Sequence, residues 1–409
     1  MGTLSMMADP EGTRRYLADS VDILNGPDSL SQAEKEACVK YLRKLYIEPT
    51  TKCNFSCPMC ARNFWDKKEF RHMTWETFTA AVDSAKTLGT VETVFFGGFG
   101  EPLSHPRIAD MVQYARKAGF RPELITNGKL MDEDMILSLL DAGIKAIWVS
   151  YEGQEPDTSG HSSFGADVVY RNLQMLRHLR AAYRPQDFCE LNLSCVIMKS
   201  NVDRLGSIID TAHTLQAQNV LFSHILPYDK SCLDELCYHM VVDAGAGIKT
   251  QTRTNTRIRF PFSDFKDPAL SSFLAERLLD RHPLVLGNTE ISRQYNRCPF
   301  IEEGDTFVRA DGEVCPCMAL LHSGPVYFFQ QKRHIAERSF GNVREMSLAD
   351  IWNGEEYTEF RNKVINFSFS PCISCGGCDF RKKNEQDCIG NEGTTCGACF
   401  WAAGVVKCP

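Results

Sequence analysis

Three cysteines stand in the run CNFSCPMC: Cys53, Cys57 and Cys60, at spacings of four and three. They follow a short apolar run, Leu45-Tyr46-Ile47, that reads as a strand. A strand ending in a loop that presents three thiolates can hold a metal ion or an iron–sulfur cluster. Three ligands are one fewer than a tetrahedral metal or a cubane takes. A closed zinc site would find its fourth ligand in a nearby Cys or His pair, yet the next histidine is His72 and the next cysteine Cys189. An incomplete donor set leaves a coordination position open, and open positions are where a metal does chemistry. On the triplet alone, a zinc knuckle with a distant fourth ligand and plain core cysteines stay open as alternatives.

The second concentration of thiols closes the chain. Ten of the 18 cysteines fall at or after Cys298: Cys298, Cys315, Cys317, Cys372, Cys375, Cys378, Cys388, Cys396, Cys399 and Cys408. The N-terminal MGTLSMMADPEGTRR lacks the apolar core of a secretion signal, and position 6 is Met where a myristoylation motif needs Ser or Thr. Outside an oxidising compartment, so many cysteines read as metal or cluster ligands rather than disulfides. ADGEVCPC predicts a strand–turn–strand over 305–317 with its turn at Asp311-Gly312. Zinc ribbons are the competing reading of the CxxC units.

Between the two thiol sets, strand-like and helix-like stretches alternate. The pattern predicts strands over 45–48, 93–96, 122–126, 146–150, 191–197 and 220–224. Helices are predicted over 75–88, 105–118, 132–142, 166–183 and 203–216, with Gly89, Gly119 and Gly143 at expected C-caps. Such βα units build a parallel sheet, and in barrels of this kind the active site lies at the C-terminal ends of the strands. Polar motifs fall at those ends. FGGFGEP follows the second strand, TNG the third and WVSYEG the fourth, with Ser150 and Glu152 at the mouth. Asn192 and Ser194 share one face of the fifth strand, and His224-Ile225-Leu226-Pro227 ends the sixth. Each motif alone is equally compatible with an ordinary strand-to-loop turn.

In this order and spacing, CxxxCxxC after a first strand resembles the signature of radical S-adenosylmethionine (SAM) enzymes. The resemblance implies an α/β fold: a partial (β/α)6 TIM-type barrel, followed by a small Cys-rich α+β domain of the SPASM type. It implies that Cys53, Cys57 and Cys60 hold a [4Fe-4S] cluster whose fourth iron takes the amino and carboxylate groups of SAM. Met59 stands where the family has an aromatic beside the adenine, and a polarizable thioether can pack on a ring. Gly97, Gly98, Gly100, Glu101 and Pro102 correspond to the family's GGEP motif for the SAM amino group, here with one Phe-Gly inserted. Ser150 is implied near the SAM carboxylate or ribose, Asn192 or Ser194 near the ribose, and His224, Ile225 and Leu226 against the adenine. The hairpin followed by CISCGGC resembles the SPASM extension, and FGNVREMSLADIWNGEEYTEFR its linker. The extension implies two auxiliary [4Fe-4S] clusters, three clusters in all, with Cys298 and Cys317 in one and Cys372 and Cys375 in the other. The spacings after Cys375 depart from the family's core.

The implied domains are a helical lead-in (1–44), the barrel (45–226), a connecting region (227–295) and the auxiliary-cluster domain (296–409). In the connecting region, Cys232, Cys237 and His239 match no ligand spacing, and the basic stretch 249–259 reads as a solvated hairpin. A net charge of −7 argues against nucleic acid as the main partner. No run of about 18 apolar residues predicts a membrane span. The reading is therefore a cytoplasmic enzyme with no nucleic-acid or membrane partner. GGFGEPLSHP and the CPMC triplet resemble the maturases associated with tungsten-dependent aldehyde ferredoxin oxidoreductases. That implies a peptide, protein or cofactor-precursor substrate and an electron donor such as ferredoxin or flavodoxin. A peptide-crosslinking maturase is the alternative, and a non-catalytic iron–sulfur electron-transfer protein the third.

Overall fold

The computed structural model describes residues 32–153, 166–183, 188–237, 241–244, 256–259, 284–285, 297–328, 331–367, 394–402 and 405–409, with positions 369, 386 and 390. Cys372, Cys375, Cys378, Cys388 and His239 lie outside the described residues, as do positions 1–31 of the lead-in and 249–255 of the basic stretch.

Among the described residues, the central sheet has nine strands. Its six-strand centre is β1 (Lys44–Ile47), β2 (Thr93–Phe96), β3 (Arg121–Thr126), β4 (Ala146–Ser150), β5 (Glu190–Ile197) and β6 (Asn219–His224), each parallel to the next. Every one lies within two residues of its expected bounds. β1 and β2 are buried at three of four positions, as strands covered on both faces must be. The crossovers are α-helices: α2 (Trp75–Leu88), α3 (Ile108–Ala118), α4 (Glu133–Ala142), α5 (Ala166–Ala182) and α6 (Leu205–Thr214). Thr74 and Asp132 cap α2 and α4 by accepting the amides of Thr77 and Met135, and left-handed Gly89, Gly119 and Gly143 end α2, α3 and α4.

The sheet does not stop at these six strands. β9 (Leu284–Val285) adds in parallel to β6, and β10 (Asp305–Val308) adds in parallel to the other edge, beside β1. The expected hairpin is present, with β10 antiparallel to β11 (Val314–Cys315). The sequence offers no sign that this cysteine-bearing hairpin joins the barrel sheet, because a four-residue apolar run does not name its partner. In β10, all four residues are buried. In the connecting region, β7 (Val241–Ala244) pairs antiparallel with β8 (Thr256–Arg259).

The first helix, α1 (Gln32–Lys40), is tied to the C-terminal part. Its last carbonyls are capped by side chains of α8 (Leu348–Asn353) and α9 (Glu355–Ile365), the short α7 (Pro299–Glu303) preceding them in the chain. Trp352 Nε1 donates to Lys40 O at 3.0 Å and Arg361 Nε to Val39 O at 2.9 Å. Residues 405–409 cross between the edges of the barrel. The His224 amide donates to Val405 O at 3.2 Å, while Tyr46 Oη and Lys44 Nζ donate to Pro409 O at 2.5 and 2.9 Å.

Candidate active site

The triplet loop leaves the C-terminal end of β1 and brings Cys53, Cys57 and Cys60 together, all half-buried and free of disulfides. The Cys60 amide donates to Cys57 O at 3.0 Å, and Asn63 Nδ2 donates to the same carbonyl at 2.7 Å, which fixes the CPMC turn. Burial pushes the Cys57 thiol up to about 11, and the nearby Cys60, Glu152 and Cys53 push it the same way. The three sulfurs therefore share one electrostatic neighbourhood. Two N–H groups already point at a sulfur: the Phe55 amide at 3.3 Å and Asn127 Nδ2 at 3.8 Å, both from Cys53 Sγ. Among the described residues, no three Cys, His, Asp or Glu side chains close around a single ion. A cubane instead places each thiolate on a different iron. Three clustered thiols with N–H donors to sulfur fit a cluster that keeps one iron open. Met59 sits half-buried in the same loop.

The FGGFGEP loop packs on the exit of β1. A methyl group on Gly100 would lie 2.0 Å from Thr50 O, and one on Gly98, whose φ is +118°, 2.7 Å from Glu48 Cγ. Only glycine lets this backbone lie so close to the thiol loop. The Glu101 amide donates to Lys52 O at 2.8 Å, tying the two loops. The Glu101 carboxylate is buried and turned inward, accepting the Leu103 amide at 2.9 Å, Thr126 Oγ1 at 2.7 Å and the Asn127 amide at 2.8 Å. Burial raises its pKa, and those three hydrogen bonds oppose the rise. Glu101 thus organises the loops through its side chain, while its amide ties the glycine loop to Lys52, one residue before Cys53.

Ser150, the last residue of β4, is the register partner of Ser194, three residues before the end of β5. Glu152 stands just beyond, its pKa raised to about 7 by burial and partly held down by backbone N–H donors. Asn192 does not join this mouth. It pairs in register with Trp148 and Asn219, one side-chain layer below Ser194, is fully buried, and accepts Asn219 Nδ2 at 2.8 Å. Its position near the start of β5 sets that depth. His224, Ile225 and Leu226 are all buried, with His224 lowered to about 4 by burial.

Sequence reading missed three contributors. Phe99, the inserted residue, sets its ring edge-on to Trp65, His322 and Tyr228. Tyr228 follows β6, and its electrostatic surroundings include Cys60 together with Cys408, Cys399 and Cys232. Glu48, buried at the end of β1, bonds His322 from the C-terminal region. Only Phe99 left a signal in the sequence, as an insertion into the motif.

The C-terminal thiols divide. Cys298, Cys317 and Cys396 are buried, and each has its pKa raised first by burial and then by others of the group. Cys298 responds to Cys317 and Cys399, Cys317 to Cys399 and Cys396, and Cys396 to Cys298 and Cys399. The Cys399 amide donates to Cys396 O at 3.3 Å, and the Trp401 ring lies 6.2 Å from that of Phe300, fastening the tail to α7. These four thiols form one set. Cys315 stands outside it, amid Arg309, Asp311, Glu313 and Glu48. Cys408 also stands outside, its sulfur accepting Trp401 Nε1 at 3.3 Å. The sequence expects both among the cluster ligands.

Residues 47–202 match the radical SAM superfamily, and residues 298–379 match the SPASM iron–sulfur cluster-binding domain. The tungsten-containing aldehyde ferredoxin oxidoreductase cofactor-modifying protein of Pyrococcus furiosus is 30% identical over 379 residues, covering 90% of this chain and 97% of that one. A PqqA peptide cyclase of Gluconobacter oxydans is 25% identical over 346 residues, covering 82% of this chain and 84% of that one. In fold, the chain is similar to Streptococcus suis SuiB bound to precursor peptide SuiA, with a TM-score of 0.52 at 14% identity over 92% of this chain and 77% of that one. It is similar also to anSMEcpe with bound AdoMet and Cp18Cys peptide, with a TM-score of 0.51 at 16% identity over 88% and 95% of the two chains. The thiol triplet at the end of β1, the glycine loop packed on it and the second thiol set of the C-terminal region agree with these matches: the chain belongs to the radical SAM enzymes that carry a C-terminal SPASM domain, which take SAM on a [4Fe-4S] cluster and hold further iron–sulfur clusters.

Proposed function

We propose that this enzyme uses SAM-derived radical chemistry in the maturation of a tungsten-dependent oxidoreductase, acting on its organic cofactor or on an associated peptide. The match to the cofactor-modifying protein over 90% of the chain carries this reading. When bound, the cluster and SAM would supply one-electron reductive chemistry able to take a hydrogen atom from substrate. Cys53, Cys57 and Cys60 hold the cluster, and Asn127 and the Phe55 amide support Cys53 by donating to its sulfur. Met59, Gly97, Gly98, Gly100, Glu101, Pro102, Ser150 and Ser194 line the SAM side, and the buried His224, Ile225 and Leu226 back the adenine. Asn192, fully buried one layer below Ser194, is the deeper of the two β5 candidates for the ribose side.

Two auxiliary clusters complete a complement of three. The mutual proximity of Cys298, Cys317, Cys396 and Cys399 supports the first set. With Cys315 and Cys408 set aside, Cys372, Cys375, Cys378 and Cys388 are the four that remain of the ten. The proposed domains are 1–44, 45–226, 227–295 and 296–409. A low-potential cluster needs a reduced compartment and a one-electron donor, which favours the cytoplasm and a ferredoxin or flavodoxin. Among the described residues, no helix is long and apolar enough to cross a membrane.

The peptide cyclase relative and the peptide-bound structural neighbour favour a second reading, modification of a ribosomal peptide. Release of 5′-deoxyadenosine separates them. The reconstituted enzyme is given extracted tungstopterin cofactor or, separately, peptides encoded beside its own gene. Acceleration by the cofactor supports maturation, acceleration by a peptide alone supports the second reading, and acceleration by neither contradicts both.

A further inference from the structure

Glu48 is 2% exposed, and its carboxylate is shared between the barrel and the C-terminal region. His322 Nε2 lies 3.0 Å from each of its oxygens, and the Phe99 amide donates to Oε1 at 3.3 Å. The imidazole is itself held, stacked on Trp65 with ring centres 3.9 Å apart and 26° between planes. Gly98 lies directly on the aliphatic part of Glu48, where a methyl group would come within 2.7 Å of Cγ. The order of support therefore runs from Trp65 to His322, to Glu48, to the backbone of Gly98 and Phe99. Two of these residues come from the barrel's first crossover, and His322 from beyond β11.

We infer that His322 is a positioning residue for the SAM-binding loop, acting through Glu48, so that the auxiliary-cluster region sets the affinity of the barrel for SAM. This rests on the reading of Gly97–Glu101 as the SAM loop. A buried carboxylate that loses its main partner is driven out of its site, and here the loop's backbone rests on that side chain. Neither half of the chain then forms the SAM site alone. The inserted Phe-Gly acquires a purpose, because it carries the amide that meets Glu48 and the ring that meets His322.

The test uses anaerobically reconstituted full-length enzyme. His322→Phe keeps a ring for Trp65 and removes the donor; His322→Gln keeps a donor. His334→Ala is the control. It removes another bond between the same two regions, His334 Nε2 to Asp66 Oδ2 at 2.5 Å, without touching Glu48. SAM affinity is read by equilibrium dialysis, and amide exchange over 97–103 is read without SAM by mass spectrometry. His322→Phe is expected to weaken SAM binding about tenfold, as the loss of one hydrogen bond to a buried charge does, and to speed exchange of that segment at unchanged iron content. His322→Gln recovers most of both effects, and His334→Ala shows neither. Wild-type affinity and exchange in His322→Phe would overturn the inference, as would an equal loss in His334→Ala. Should the wild type bind no SAM, the reading of the loop fails, while exchange alone still decides whether His322 holds it.

Discussion

The Asn127 amide donates to Glu101 Oε2 at 2.8 Å, and Asn127 Nδ2 reaches on to Asn54 Oδ1 at 2.8 Å and Cys53 Sγ at 3.8 Å. One residue of the TNG turn thereby joins the glycine loop to the cluster loop. Glu101→Ala strands three donors in a buried setting and is expected to cost about 3 kcal/mol, measured as a shift of the urea midpoint, with loss of iron from the triplet. Glu101→Gln retains acceptor capacity at one oxygen and is expected to lose roughly half as much.

The contact of Gly100 with Thr50 O admits no side chain. Gly100→Ala places a methyl group 2.0 Å from that oxygen and 2.8 Å from Lys52 O, both backbone atoms that cannot rotate away. A loss of about 2–3 kcal/mol in urea unfolding is expected, with weakened SAM binding. Retention of wild-type stability and affinity would show that this loop is free to move off β1.

Iron counts test the division of the C-terminal thiols. Cys399→Ala is expected to remove about four irons per chain, the content of one cubane. Cys408→Ala and Cys315→Ala are expected to keep the full count, because their sulfurs face Trp401 and the Arg309 cluster instead. Loss of iron in either would return that cysteine to a ligand set.

How far the sequence could be read follows from what each signal depends on. The six central strands and their helices were legible because each is a local hydrophobic pattern closed by a turn or cap residue, Gly89 and Asp132 among them. The triplet was legible because cluster ligands on one loop must be close in sequence. Partnerships between distant segments were not. Nothing local to Asp305–Val308 says that it pairs with β1, and nothing in Glu48 or His322 says that they meet across 274 positions. Asn192 and Ser194 show a related limit. Alternation gives the face of a strand but not the height along it, and two residues separate a buried support from the mouth.

His224 gives the fold a pH dependence of known sign. Burial lowers its pKa to about 4, so the folded chain keeps it neutral while the unfolded chain takes a proton near the ordinary 6.5. The stability it contributes is complete above that ordinary value and is lost as pH falls toward the folded one. Between pH 7.5 and 5.5 the wild type should lose about 1 kcal/mol that His224→Leu does not, read from urea midpoints of anaerobic protein at the two values.

The most direct test of the central claim is 5′-deoxyadenosine production by the anaerobically reconstituted enzyme with SAM and dithionite. The account predicts about twelve irons per chain, the content of three cubanes, and SAM cleavage that disappears in Cys57→Ala while the auxiliary irons remain. Zinc in place of iron, or full iron with no cleavage of SAM, would contradict it.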